Sequence, residues 1–231
     1  MALTTNLVAY YKLDETSAGA AVDSTATNNA TNNNATINQT GKIDRAYTFN
    51  GTTAYLQSVS QSFTGNDDYT ITAWIYHTSR TNNNNIFSNG VEATKAGLKF
   101  RVSQTTGLLG VDLANVVGTT STDAVSLNTW TFIGLTKSGD IYQLYINGSA
   151  NGSAGTITSS NISAAGTQRI GRDVATGTNY FTGSLDEVGV WTRVLTAPEI
   201  TELYNSGTGL TYPFTSATDD SFFSLSLGAE F

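Results

Sequence analysis

Apolar and polar residues alternate along this chain in short runs, and Gly, Asn, Asp and Ser punctuate the runs. A period of two over four to nine residues, bounded by such turn formers, is the pattern of half-buried strands. It predicts strands at residues 7–13, 45–50, 55–59, 69–77, 86–88, 98–103, 108–113, 129–137, 141–147, 167–173 and 181–191. Residues 14–41 are polar and Asn-rich, a long connection with one short strand expected at 35–38, and residues 82–85 read as a loop tip. Ser138-Gly139-Asp140 joins two of the strands into a hairpin. Asn147-Gly148 marks a second tight turn, because both positions of a type I′ turn must accept positive φ.

One helix stands out. Thr196-Ala-Pro-Glu199 has the form of a capping box, with Pro198 in the first turn where no N–H is missed. Ile200, Leu203 and Tyr204 supply an apolar face, and Asn205-Ser-Gly207 ends it. About a dozen short strands and one small helix predict an all-β fold: a two-sheet antiparallel jelly-roll sandwich with a short C-terminal helix. No break in composition divides residues 1–212, which read as one domain. Residues 213–231 read as an extended C-terminal tail, in which Phe223-Ser-Leu-Ser-Leu227 alternates as a strand with one apolar face. Phe222, Phe223, Leu225, Leu227 and Phe231 are the expected docking residues for another subunit, since such side chains left bare invite aggregation.

Composition narrows the chemistry. The 231 residues contain no Cys and one His, which excludes disulfides, thiol nucleophiles and multi-His metal sites within one chain. A net charge of -7 argues against a nucleic-acid partner. No apolar run has the length of a membrane span, and the N-terminal residues lack the basic and apolar regions of a signal peptide. Charged residues are only 13%; polarity comes from 38 Thr, 22 Ser and 21 Asn, residues that suit strands and turns.

Several motifs, taken in order, resemble the concanavalin A-like, laminin G-like jelly-roll family. They are Leu7-Val-Ala-Tyr-Tyr-Lys-Leu-Asp14, Gly41-Lys-Ile-Asp-Arg-Ala-Tyr-Thr-Phe-Asn-Gly51, Tyr69-Thr-Ile-Thr-Ala-Trp-Ile75, Leu127-Asn-Thr-Trp130 and Leu144-Tyr-Ile-Asn-Gly148. Arg169-Ile-Gly-Arg172, Phe181-Thr-Gly-Ser-Leu-Asp-Glu-Val188 and Arg193-Val-Leu-Thr-Ala-Pro-Glu-Ile200 follow. The resemblance implies the fold over residues 7–207 and, in some members, a calcium ion. It places that ion at Asp186 and the turn Asn50-Gly51, where the family usually has Asp in place of Asn50; Asp14 and Asp23 are further oxygen donors. Strand alternation puts Asp186 on the face of Val188 and Val190, inside the sandwich, and its alternative role there is to accept backbone N–H groups.

Catalysis is not expected. Glucanases of this fold carry Glu-x-Asp-x-(x)-Glu on one strand, and no such run occurs. Alternation also sends Asp186 and Glu187 to opposite faces, so they make no acid pair. His77 reads as an exposed loop histidine. What remains is binding. Planar and aromatic groups on loops recognise sugars, and Asn83, Asn84, Arg101, Arg172, Asp173, Asn179 and Tyr180 are the candidates. Trp74, Trp130 and Trp191 read as core. The function expected is a glycan-binding or adhesion jelly roll displayed as a structural subunit of a virus or phage particle, oligomeric and on the virion surface. The alternatives are a free bacterial lectin-like carbohydrate-binding module, at the cell surface or extracellular, and, disfavoured, a glycoside hydrolase.

Overall fold

The structure is a computed structural model that describes residues 1–58, 67–91, 96–113, 116–157, 167–174 and 176–215. In chain order the strands are β1 (Leu7–Tyr11), β2 (Thr31–Asn33), β3 (Thr36–Thr40), β4 (Arg45–Asn50), β5 (Tyr55–Ser58), β6 (Tyr69–His77), β7 (Asn84–Val91) and β8 (Ala96–Val102). Then come β9 (Leu108–Leu113), β10 (Val116–Ala124), β11 (Trp130–Ser138), β12 (Ile141–Ile146), β13 (Ser149–Ala150), β14 (Gly155–Thr156), β15 (Thr167–Ile170), β16 (Thr182–Trp191) and the helix α1 (Ala197–Tyr204).

The strands form two antiparallel sheets. The first has the order β13-β12-β11-β6-β16-β4-β3, with β1 on β16 and β14 on β12; the second has the order β10-β9-β8-β7-β15-β5-β2. Alternation builds the space between them. Ile71, Ala73 and Ile75 of β6, Ile133 and Leu135 of β11, and Leu185 of β16 meet Phe87, Leu98, Phe100, Val102, Leu109 and Val111 of the second sheet in one buried cluster. The Asn147-Gly148 turn has φ of 48° and 78°, as a type I′ hairpin requires.

A second apolar cluster lies on the outer face of the first sheet. Trp74, Phe132, Tyr145, Trp191 and Tyr10 point outward and are covered by Leu195, Ile200 and Leu203, with Tyr204, Leu210, Tyr212 and Phe214 packed against them. The helix starts as expected: Thr196 accepts from the Glu199 N–H, and the Glu199 carboxylate accepts from the Thr196 N–H at 2.8 Å. Arg193 holds the same carboxylate at 2.7 Å. The chain then crosses the sheet, and the Phe214 ring sits 5.1 Å from Tyr10. The start of the tail therefore packs on the body, whereas Phe222, Phe223, Leu225, Leu227 and Phe231 lie outside the described residues.

Four local expectations change. The long connection holds two short strands, β2 in the second sheet and β3 in the first, rather than one at 35–38. Strand β10 reads Val-Val-Gly-Thr-Thr-Ser-Thr-Asp-Ala, too polar to announce itself, and is held at the sheet edge by pairing with β9. The 82–85 tip is half strand: Asn84 and Asn85 open β7 and are buried. His77 is fully buried, with its ring centroid 5.9 Å from that of Phe181.

Candidate functional site

The sugar-binding candidates drawn from the sequence are largely committed to the fold. The Asn84 amide donates to the Ser79 and Asn82 carbonyls at 2.9 and 2.7 Å, and its oxygen accepts from the Thr182 N–H. Asn83 accepts from the Gln104 N–H at 3.1 Å. Arg101 makes a two-pronged ion pair with Asp112. Asp173 is fully buried, paired with Lys99 at 3.2 Å and bonded by the Thr176 hydroxyl at 2.8 Å. Asn179 takes φ 56°, and its carbonyl accepts from the Asn85 N–H. Arg172 and Tyr180 do meet at one rim: the guanidinium lies 4.9 Å from the Tyr55 ring and 5.4 Å from the Tyr180 ring. Its cation thus lies over an aromatic face of each tyrosine.

Of the five calcium candidates, Asp23, Asn50 and Gly51 serve their own turns, while Asp14 lies close enough to Asp186 to raise its carboxyl. Asp23 accepts the N–H groups of Tyr10, Thr25 and Asn28 at 2.8–3.0 Å, fastening the long connection to β1. Asn50 accepts from the N–H groups of Thr52, Thr53 and Ala54. Gly51 is the left-handed residue of that turn, at φ 75°. Asn50 pairs with Thr182, four residues along β16 from Asp186, which separates them by about 13 Å at the rise of a strand. Asp14 accepts from the Arg45 N–H at 3.0 Å. Calcium takes six to eight oxygens, and among the described residues no group of three acidic or His side chains is placed to hold a metal.

Asp186 departs from simple alternation. An extra residue enters β16 between the pairs Asp186–Trp74 and Gly189–Thr72, and Glu187 at that bulge has φ 51°. Asp186 thus stands in register with Trp74 on the outer face, while Val188 and Val190 stay in the inner core. Its Oδ2 accepts from the Lys42 and Ile43 N–H groups at 2.8 and 2.9 Å. Burial pushes its carboxyl up to about 9, Glu187 and Asp14 push the same way, and the two backbone donors oppose them. Burial also pushes Glu187 up to about 7, against the Tyr10 and Thr211 hydroxyls. The two acids are therefore not on opposite faces as alternation implied. They lie together beneath the covering layer, 0% and 2% exposed.

The open half of that outer face carries a different surface. Trp130 pairs with Tyr76, Tyr76 with Ser184, Ser184 with Thr48 and Thr48 with Thr36, so one row crosses five strands, about 19 Å at the usual strand spacing. A groove of about 390 Å³ follows it, lined by Trp130, Tyr76, Ser184, Thr48, Gln39 and Thr40. None of these residues is buried. The Tyr76 and Trp130 rings are 5.6 Å apart at 54°. Ser184 and Thr48 share a hydrogen bond of 2.7 Å, and Gln39 donates to the Ile37 carbonyl at 2.9 Å. Two fixed aromatic rings beside hydroxyl and amide groups make a surface for a polyol: ring faces for its C–H face, polar groups for its hydroxyls. Sequence reasoning assigned Trp130 to the core. The structure leaves it half-buried at the margin of the outer apolar cluster, with its ring against Tyr76, and the signal that finds it is the pairing of strand-end Trp130 with Tyr76.

The comparisons agree with this architecture. No curated protein matches the chain by sequence. Domain 4 of AbnA, a GH43 extracellular arabinanase from Geobacillus stearothermophilus solved with arabinotriose, superposes with a TM-score of 0.69 at 19% identity, over 85% of this chain and 97% of that domain. Trypanosoma rangeli sialidase bound to 2,3-difluorosialic acid superposes with a TM-score of 0.68 at 15% identity; 90% of this chain is covered but only 34% of the sialidase. The binding domain of Paraclostridial Mosquitocidal Protein 1 gives 0.67 at 17% identity, over 88% of this chain and 52% of that one. At these identities the likeness is one of fold. Residues 50–201 match the family described as Laminin_G_3, Concanavalin A-like lectin/glucanases superfamily.

Proposed function

For a chain that belongs to the concanavalin A-like lectin/glucanases superfamily, we propose non-catalytic carbohydrate binding through the groove on the outer face of the first sheet. The observation that carries it is the row Trp130–Tyr76–Ser184–Thr48, a half-buried arrangement of aromatic and hydroxyl groups along one groove. The arabinotriose held by the fold relative from the arabinanase supports a saccharide as ligand. The burial of Asp186 and Glu187 supports a binding rather than a hydrolytic role, since acid–base work needs carboxylates that reach substrate. Display on a virion, with the tail docking a structural subunit, belongs to the same proposal and rests on the tail's sequence pattern. Deleting residues 216–231 is expected to leave a folded sandwich that no longer enters a particle; incorporation of the truncated chain sinks that part.

A glycan array probed with the full chain tests the binding role. Wild-type protein is expected to bind saccharides, and Trp130→Ala to weaken the bound ones roughly tenfold or more, the equivalent of ~1.4 kcal/mol. Silence of the wild type across a broad array refutes the role.

A further inference from the structure

The chemistry and shape of the groove restrict what it can take. Among the described residues its lining holds no acid and no base: Trp130, Tyr76, Ser184, Thr48, Gln39 and Thr40 are all uncharged. A carboxylate or sulfate placed there would lose water without meeting a guanidinium or ammonium, which is costly. Of the neighbouring cations, Lys42 lies over the Trp74 ring at 4.7 Å, and Arg45 stands in register with Thr40 at the end of the groove rather than in its lining. The net charge of -7 repels anions before they arrive. The polar end, by contrast, suits neutral hydroxyls. In the Ser184–Thr48 pair one hydroxyl proton is spent on the other oxygen, so the pair keeps one proton to donate and lone pairs to accept. Gln39 spends one amide proton on Ile37 and keeps the other.

Shape selects further. The Tyr76 and Trp130 planes meet at 54°, so no flat ribbon lies on both. A chain whose successive sugar rings are rotated against each other can place one ring on each. The row continues three more strands beyond Tyr76, through Ser184 and Thr48 to Thr36, in line with the two rings. From these features we infer that the groove takes a soluble, uncharged, twisted oligosaccharide laid across the strands, its apolar ring faces on Trp130 and Tyr76 and its hydroxyl edge on Ser184, Thr48 and Gln39. This inference rests on the carbohydrate-binding role and names its ligand class.

The test uses the full chain and tryptophan emission, with calorimetry as a second readout. Trp74 and Trp191 are 2% and 0% exposed, so a saccharide in the groove reports through Trp130. The probes are hexasaccharides of xylan, mannan and arabinan, then oligogalacturonate and hyaluronate fragments as acidic chains, then microcrystalline cellulose as a flat surface. At least one neutral hexasaccharide is expected to bind and change the emission, and the acidic chains and cellulose to stay in solution or unbound. Trp130→Ala is expected to weaken binding at least about tenfold. Thr48→Arg, a change at a half-exposed position that leaves both rings in place, is expected to weaken it likewise, so a folding defect in the first variant does not decide the outcome. Preference for acidic chains or cellulose, or binding that survives both variants but is lost in Tyr180→Ala, overturns the inference while leaving the carbohydrate role standing. Absence of binding to any saccharide here and on the array removes both.

Discussion

His77 and Asp186 are buried titratable groups whose burial shifts them in opposite senses. Burial holds the His77 imidazole below the ordinary histidine range. The unfolded chain therefore takes up the proton first as pH falls, and the His77 contribution to stability, full above about pH 6.5, is lost below it. Thermal melts between pH 7.5 and 5.5 should show this loss in the wild type and a smaller one in His77→Phe, whose ring keeps the contact with Phe181. Parallel curves would place the histidine in a more polar setting than the fold gives it. Asp186 behaves oppositely. Its folded carboxyl is raised to about 9, so the folded state holds a proton that the unfolded chain releases from about pH 4 upward, and stability falls as pH rises through that window. Asp186→Asn keeps an oxygen for the Lys42 and Ile43 N–H groups without this loss. The melting temperature of the variant relative to wild type should rise between pH 5 and pH 8; a constant difference contradicts the burial of an acid there.

At the scale of single elements, the helix start is the most legible piece. Thr196, Pro198 and Glu199 announce it in sequence, and the structure adds the Arg193 guanidinium on the same carboxylate. That guanidinium, with the Thr196 backbone and hydroxyl, holds Glu199 down to about 2. The stability it supplies is present above about pH 4.5 and is lost as pH falls toward 2. Thr196→Ala should cost ~1 kcal/mol in urea unfolding at neutral pH; a cost near zero would mean that Arg193 alone orients Glu199. Strands with clear alternation, such as β4, β6 and β9, were legible to the residue. Strand β16 was legible in extent but not in phase. One inserted residue at Glu187 shifts the face of everything before it relative to everything after, and no residue type marks that bulge: a Glu at φ 51° leaves no mark in the sequence.

For the whole molecule, the sandwich and its family were readable because each strand carries its own alternation and the motifs keep their order. The groove was not. Trp74 and Trp130 look alike in sequence, one outward-facing aromatic near the end of a strand in each case. Only the placement of α1 decides that Trp74 is buried under Tyr204, with ring centroids 5.7 Å apart, and that Trp130 stays half-buried at the cluster's margin. The partners of the rim residues were not legible either: Asn84 and Asp173 read as loop side chains in sequence and are bonded to backbone groups and to Lys99 in the structure. The central claim is that this face, beside the covering layer, is where a saccharide sits. Indole resonances of the three tryptophans in a nitrogen–proton NMR spectrum test it directly during titration with a neutral hexasaccharide. The Trp130 signal should move with ligand concentration, while that of Trp191, whose indole N–H is bonded to the Leu3 carbonyl at 2.6 Å, stays fixed. A saturating titration that leaves the Trp130 signal in place would contradict it.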